Sequence, residues 1–138
     1  ALVPYIHMNG KIGVLVAFTF ENEATGADER FTAMGRDVAM QIAATNPVSL
    51  DKESVPEDVR EHELSIYKAQ AAESGKPENI QEKIALGRMN KFYKENCLVE
   101  QEFVKDPDQT VESYINACAK ELGDTIKIVD FARIALGD

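Results

Sequence analysis

IHMNGKIGVLVAFTF (Ile6–Phe20) is the stretch on which the fold turns. Asn9 and Gly10 both tolerate a positive φ, so they mark a tight hairpin between two strands. Ile12, Val14, Val16, Phe18 and Phe20 alternate along the second strand and mark its core side. Leu15 and Ala17 make the opposite side apolar too, so both faces of this strand are expected to be covered.

Downstream, ENEATGADER (Glu21–Arg30) is polar and small and reads as a loop. RFTAMGRDVAMQIAATNP follows, with Phe31, Met34, Val38 and Ile42 on one helical stripe. Small Ala39, Ala43 and Ala44 permit close packing. Asn46-Pro47 ends that helix, because the residue before proline is driven out of the helical region. Pro56, Glu57 and Asp58 open another helix with a proline in its first turn and acids at its positive pole. Its stripe is thin: Val59 and Ile66, with Leu64 and Tyr67 beside them. A helix that buries so little of itself is expected to project.

Ser74-Gly75 stops it, and Lys76-Pro77 starts the next at once, so the two helices run antiparallel over about residues 56–96. Ile80, Ile84, Leu86, Met89, Phe92 and Tyr93 carry the apolar surface of the second one. That surface changes sides around Gly87, which predicts a bend or a close helix contact there. CLVEQEFVKDPD is extended and ends in a proline turn. Thr110 caps a further helix and Gly123 closes it. TIKIVDFARIAL alternates as a closing strand, with Ile126, Ile128, Ala132, Ile134 and Leu136 on one face and Val129 and Phe131 on the other. Strands, helices, then a strand make an α+β fold: a small antiparallel sheet of about three strands covered by helices, with a projecting helical hairpin.

The chain has 138 residues, enough for one domain with its own core. Its net charge of -9 and the lack of any Lys/Arg stripe in the sequence argue against nucleic acid as a direct partner. No apolar run is long enough to cross a membrane. Cys97 and Cys118 have neither metal spacing nor a disulfide framework and read as reduced thiols of a cytosolic protein. His7 and His62 have no converging partners at catalytic or metal-ligand spacing, so both read as structural or surface residues, with partner contact as the rival role for His7. No phosphate-binding loop, dinucleotide turn or nucleophile elbow occurs. No catalytic, cofactor or metal residue is therefore assigned. A binding module fits better than an enzyme, and self-association through the apolar strands is the alternative.

The distributed motifs resemble bacterial translation elongation factor Ts, in its core or dimerisation region. YIH with GKIGVLV resembles the opening hairpin of that family, and DVAMQIAATNP its first core helix. VPEDV resembles the entry to its helical hairpin. GKPENIQEKIALGRMNKFYKE with LVEQEFVKD resembles its most diagnostic stretch, and TIKIVDFARIALG its last strand. The resemblance implies a nucleotide-exchange factor that binds elongation factor Tu in its GDP form and promotes GDP release without covalent chemistry, and hence a cytoplasmic protein. It implies His7 and Asn9 in the first turn, Gly75 and Lys76 at the hairpin tip, and Arg88 and Lys91 on the second helix as candidate partner contacts. For Gly75, helix punctuation alone is the competing reading, and for Arg88 and Lys91, ordinary surface charge.

One departure matters. The family's exchange element is Thr-Asp-Phe-Val after a core strand. Here Asn22, Glu23, Ala24 and Thr25 stand at that place, with Ala24 where the wedging Phe would be. Two explanations of this departure compete: residues 1–138 are a complete single-core protein with a degraded motif, or, which is the expectation here, they are one core subdomain, the one with the helical hairpin, taken from a longer chain. Its role is then mainly docking.

Overall fold

The computed structural model describes residues 1–7 and 9–136. In chain order its elements are β1 (Leu2–Ile6), β2 (Ile12–Thr19), α1 (Glu23–Ala27), α2 (Glu29–Thr45), α3 (Glu57–Glu73), α4 (Glu78–Asn96), β3 (Glu102–Phe103), β4 (Asp106–Thr110), α5 (Val111–Leu122) and β5 (Lys127–Ala135). The main sheet is antiparallel in the order β1-β2-β5, and β3 and β4 form a second, two-stranded sheet. The fold is α+β, as the sequence predicts.

The turn after β1 is closed by Gly10 N–H donating to His7 O (2.7 Å) and His7 N–H donating to Ile12 O (2.9 Å). Of Asn9 and Gly10, only Gly10 takes the left-handed conformation, at φ +72. Asn9 instead uses its side chain, accepting from Lys11 N–H at 3.0 Å. Met8 of the expected turn lies outside the described residues.

Val14, Val16 and Phe18 point into the core and meet Phe31, Met34, Val38 and Ile42 of α2. Helix and sheet approach closely at Gly35, where a Cβ would come within 2.8 Å of Val3 Cγ2. Val111, Ile115, Cys118 and Ala119 of α5 complete the same core with Leu98, Phe103 and Ile126. Thr110 accepts from Ser113 N–H as the expected cap of α5, and Gly123 ends it at φ +65.

Two expectations about the sheet are corrected. Its second face is not covered by the described residues: Leu2, Pro4, Ile6, Leu15, Ala132, Ile134 and Leu136 are all exposed. The closing strand also does not keep one alternation. Ala17 pairs with Asp130 but Phe18 pairs with Ile128, so Val129 is an extra residue, a bulge. An extra residue inverts the period-two pattern beyond it. Ile128 faces the core, but past the bulge Phe131 and Arg133 face inward while Ala132 and Ile134 turn out. Arg133 uses that inward position to donate to Ala43 O (3.2 Å), at the C-terminal end of α2.

The stretch after β2, expected as a loop, holds helix α1. Asn22 caps it by accepting from Ala24 N–H. Asp124, just past α5, pins it: its carboxylate accepts from Thr25 Oγ1, Asn22 N–H and Glu21 N–H, and from its neighbour Thr125 N–H. The Thr25 hydroxyl, then these backbone donors, hold the carboxyl down at about 2, against an ordinary value of 3.8. A depressed carboxylate stabilises the fold above its unfolded pKa and loses that contribution as pH falls through the folded one. Between about pH 4 and pH 2 the melting temperature of Asp124→Asn is expected to fall less steeply than that of the native chain. Parallel melting curves across that window check it.

The hairpin behaves as expected. Gly75 takes φ +71 between α3 and α4. Of α3 only Ala71 is buried, and of α4 only Ala85 and Met89. The pair therefore packs mainly on itself and projects. Its base is tied down where Arg60 Nε donates to Tyr93 Oη (3.0 Å), Arg60 also donates to Lys52 O (2.7 Å), and Val48 N–H donates to Asn96 O (2.8 Å). The contact expected at Gly87 is absent: α4 runs unbroken through it, and a Cβ there would meet nothing within 4 Å. Glycine in an exposed helix interior costs about 1 kcal/mol relative to alanine. Gly87→Ala is thus expected to raise the melting temperature by about 3 °C, measurable by calorimetry.

Candidate functional site

The six candidate contacts occupy three places. His7 and Asn9 sit in the β1–β2 turn. The His7 ring is half-buried, with Tyr5 Oη 3.3 Å from its Nδ1, and Asn9 is exposed. Tyr5 in turn lies under the Arg36 guanidinium, 5.8 Å from the ring centre. This turn borders the bare sheet face, because Leu136 N–H donates to Lys11 O at 2.8 Å and brings the end of β5 alongside. Ile6, Ile134 and Leu136 surround it with exposed apolar surface.

Gly75 and Lys76 sit at the tip of the hairpin and are exposed. The tip is a self-contained turn: Lys76 N–H donates to Ser74 Oγ (3.3 Å) and Lys76 O accepts from Gln81 Nε2 (2.7 Å). An α-helix of this length carries the tip about 25 Å from its base.

Arg88 and Lys91 do come together. They line one groove with Tyr67, Phe92 and Glu95 between the two helices of the hairpin. Arg88 donates to Gln70 Oε1 across the pair, Tyr67 donates to Glu63 (2.8 Å), and Lys91 lies 3.8 Å from Glu95. All these charges are solvated or half-solvated, so they shape recognition more than stability. Lys91 also reaches a larger groove at the hairpin base, floored by Gln41, Thr45 and Gln101 and rimmed by Lys94 and Thr110.

Beneath that larger groove lies a network that composition does not reveal. Gln41 Nε2 donates to Gln101 Oε1 and to Glu102 O, both at 3.0 Å, and its Oε1 accepts from Val104 N–H at 2.9 Å. Thr45 Oγ1 donates to Gln101 Oε1 (3.0 Å), and Gln101 Nε2 donates to Glu95 O (2.9 Å). These amides join α2, the last turn of α4 and β3. The sequence shows Gln41 among apolar residues and Gln101 between two glutamates, but not that the two amides face each other.

The cysteines do not form a reactive site. Both are buried and free, and burial, first among the causes, raises both thiols above their usual range. A raised thiol is a poor nucleophile at neutral pH. Among the described residues no three His, Cys, Asp or Glu side chains gather to hold a metal ion. Among the described residues no helix is long and apolar enough to cross a membrane. Asn22 to Thr25 lead into and begin α1, with Thr25 buried and Glu23 and Ala24 exposed. No aromatic wedge projects from it.

The family model described as elongation factor TS matches residues 1–138. The relatives named elongation factor Ts include that of Desulfosudis oleivorans, 48% identical over 134 residues, 97% of this chain and 68% of the relative. That of Geobacter sulfurreducens is 47% identical over 138 residues, all of this chain and 64% of the relative. That of Geotalea uraniireducens is 49% identical over 134 residues, 97% of this chain and 62% of the relative. The chain thus spans about two thirds of the length of the relatives it matches.

Proposed function

The chain belongs to the elongation factor Ts family, and from that premise we propose that it is the docking core of a nucleotide-exchange factor for elongation factor Tu. In this reading it is one core subdomain of a longer factor. It binds the GDP form of the GTPase in the cytoplasm and contributes to GDP release without covalent chemistry of its own. The observation that carries the reading is the family match along the whole chain. Partner binding and GDP binding then oppose each other reciprocally, as linkage requires. The β1–β2 turn with His7 and Asn9, the Gly75-Lys76 tip and the Arg88–Lys91 groove are the proposed contacts. With Ala24 in place of an aromatic wedge, this chain alone docks more than it ejects nucleotide.

The test is to mix the folded chain with GDP-loaded elongation factor Tu and measure both complex formation and GDP release. A complex with little or no acceleration of release is expected. No complex at about 100 μM, an affinity weaker than roughly -5.5 kcal/mol, sinks the docking reading. Full-strength exchange by this chain alone sinks the division of labour.

The bare sheet face favours a second role, self-association. Leu2, Ile6, Leu15 and Ile134 present a contiguous apolar surface of the kind that soluble monomers seldom leave open. Pro4, in the middle of β1, lacks an N–H and blunts that sheet edge, so pairing would be face to face. Ile134 is 69% exposed, so Ile134→Lys is expected to leave the melting temperature within about 1 °C while moving sedimentation toward monomer. A native chain that sediments as a monomer at every concentration removes this second role.

A further inference from the structure

We propose that the exposed lysine face of α4, from Lys83 to Lys94, is a docking surface for an acidic helix of a partner protein. The surface is read from the helix alone and does not depend on the exchange-factor reading. At 3.6 residues per turn, positions 83, 87, 90, 91 and 94 fall within about 100° of arc. All five are exposed. They are Lys83, Gly87, Asn90, Lys91 and Lys94, a stripe about 16 Å long. The carboxylates of the same helix, Glu78, Glu82 and Glu95, fall outside the arc. Among the described residues neither Lys83 nor Lys94 forms an ion pair, and Lys91 has only the solvated contact with Glu95. The linear sequence shows no Lys/Arg stripe; the helix assembles one, on a chain of net charge -9.

Gly87 sits in the middle of that stripe, and nothing within the chain calls for a glycine there. Its φ is helical, not left-handed, and an added Cβ would have open space. Helix propensity disfavours glycine at such a position, and no internal packing offsets the cost. A missing side chain between lysines lets another backbone approach closely, toward the short end of helix–helix separations, about 8 Å. Leu86, largely exposed on the adjoining flank, supplies an apolar edge. Lys83 and Lys94 have no ion-pair partner among the described residues and Lys91 has only the solvated Glu95, so the stripe itself suits a negative occupant. The flat glycine saddle and the apolar edge suit a protein helix better than a phosphate backbone, whose overall attraction to so acidic a chain is weak.

The probe is a synthetic alanine-rich helical peptide of about 20 residues, long enough to hold helix in water, with glutamates on one face and one leucine beside them. Amide shifts of the isotopically labelled whole chain are followed by NMR during titration. Expected shifts centre on residues 83–94, and they vanish with the peptide whose glutamates are replaced by glutamine. Gly87→Leu and the double change Lys83→Glu/Lys94→Glu are each expected to weaken binding about tenfold. The sharpest signature is Gly87→Ala, which is expected to raise the melting temperature while lowering the affinity. Unchanged affinity in Gly87→Leu overturns the proposal. So does a single-stranded oligouridine that moves the same amides when the acidic peptide does not.

Discussion

Phe31→Ala is expected to cost about 4 kcal/mol of stability, the value typical of removing a fully buried phenyl ring. Phe31 is 2% exposed. It stands at the start of α2 with its ring edge-on to Phe18, centroids 5.5 Å apart, and to Phe20, 5.3 Å apart. It therefore joins the first long helix to the central strand and to the segment leading into α1. Alanine would keep the helix but leave a void among rigid β-strand neighbours that cannot collapse into it. For a domain whose whole stability is about 5–15 kcal/mol, that loss is large. Urea unfolding should show the midpoint falling by about 2 M with little change in slope. A fall below about 0.5 M would mean that the aromatic cluster is not the centre of this core.

The second large effect is polar. Gln41→Leu nearly preserves volume, so it isolates hydrogen bonding from packing. Leucine would leave Val104 N–H and Glu102 O without their partner, and Gln101 Oε1 with Thr45 alone. Buried groups deprived of partners cost about 1–3 kcal/mol each, and about 3 kcal/mol in total is expected here. The damage should also be directional. Gln101 holds Glu95 O at the end of α4, so hydrogen exchange should quicken at Val104 and at the hairpin base while the β2–β5 ladder keeps its protection. Equal loss of protection in both places would mean that the amides serve the core as a whole and not the arm.

The two substitutions mark different degrees of legibility. Phe31 was readable because it begins a 3.6-period stripe, and a stripe needs only one local periodicity. The hairpin was readable for the same reason, with Gly75 and Pro77 supplying unambiguous punctuation. Gln41 and Gln101 were not, because sixty residues separate them and no local pattern says that two amides will meet. The helix over Glu23–Ala27 is not legible in the sequence, because five residues are too few to show a period. Its stability comes from Asn22 and from Asp124, a carboxylate about a hundred residues away in sequence.

The candidate contacts divide in the same way. His7, Asn9, Gly75, Lys76, Arg88 and Lys91 were named from motifs, but only Arg88 and Lys91 share a groove. The apolar face beside His7 is visible in the sequence but its exposure is not, because alternation tells which side chains point together and not what lies opposite. The bulge at Val129 inverted β5 for a comparable reason. One unpaired residue is a property of two strands in register, and a single strand carries no sign of it.

What the sequence determined by itself was the class of the fold, the helical hairpin and the family. All three follow from local spacing or from the identity of residues along the chain. Only the tertiary structure decided which sheet face is bare, where β5 changes sides, how Asp124 pins α1, and that Lys83, Lys91 and Lys94 share a face around an unpacked Gly87. Each of these depends on how distant segments or successive helical turns are placed in space, which the order of residues constrains but does not display.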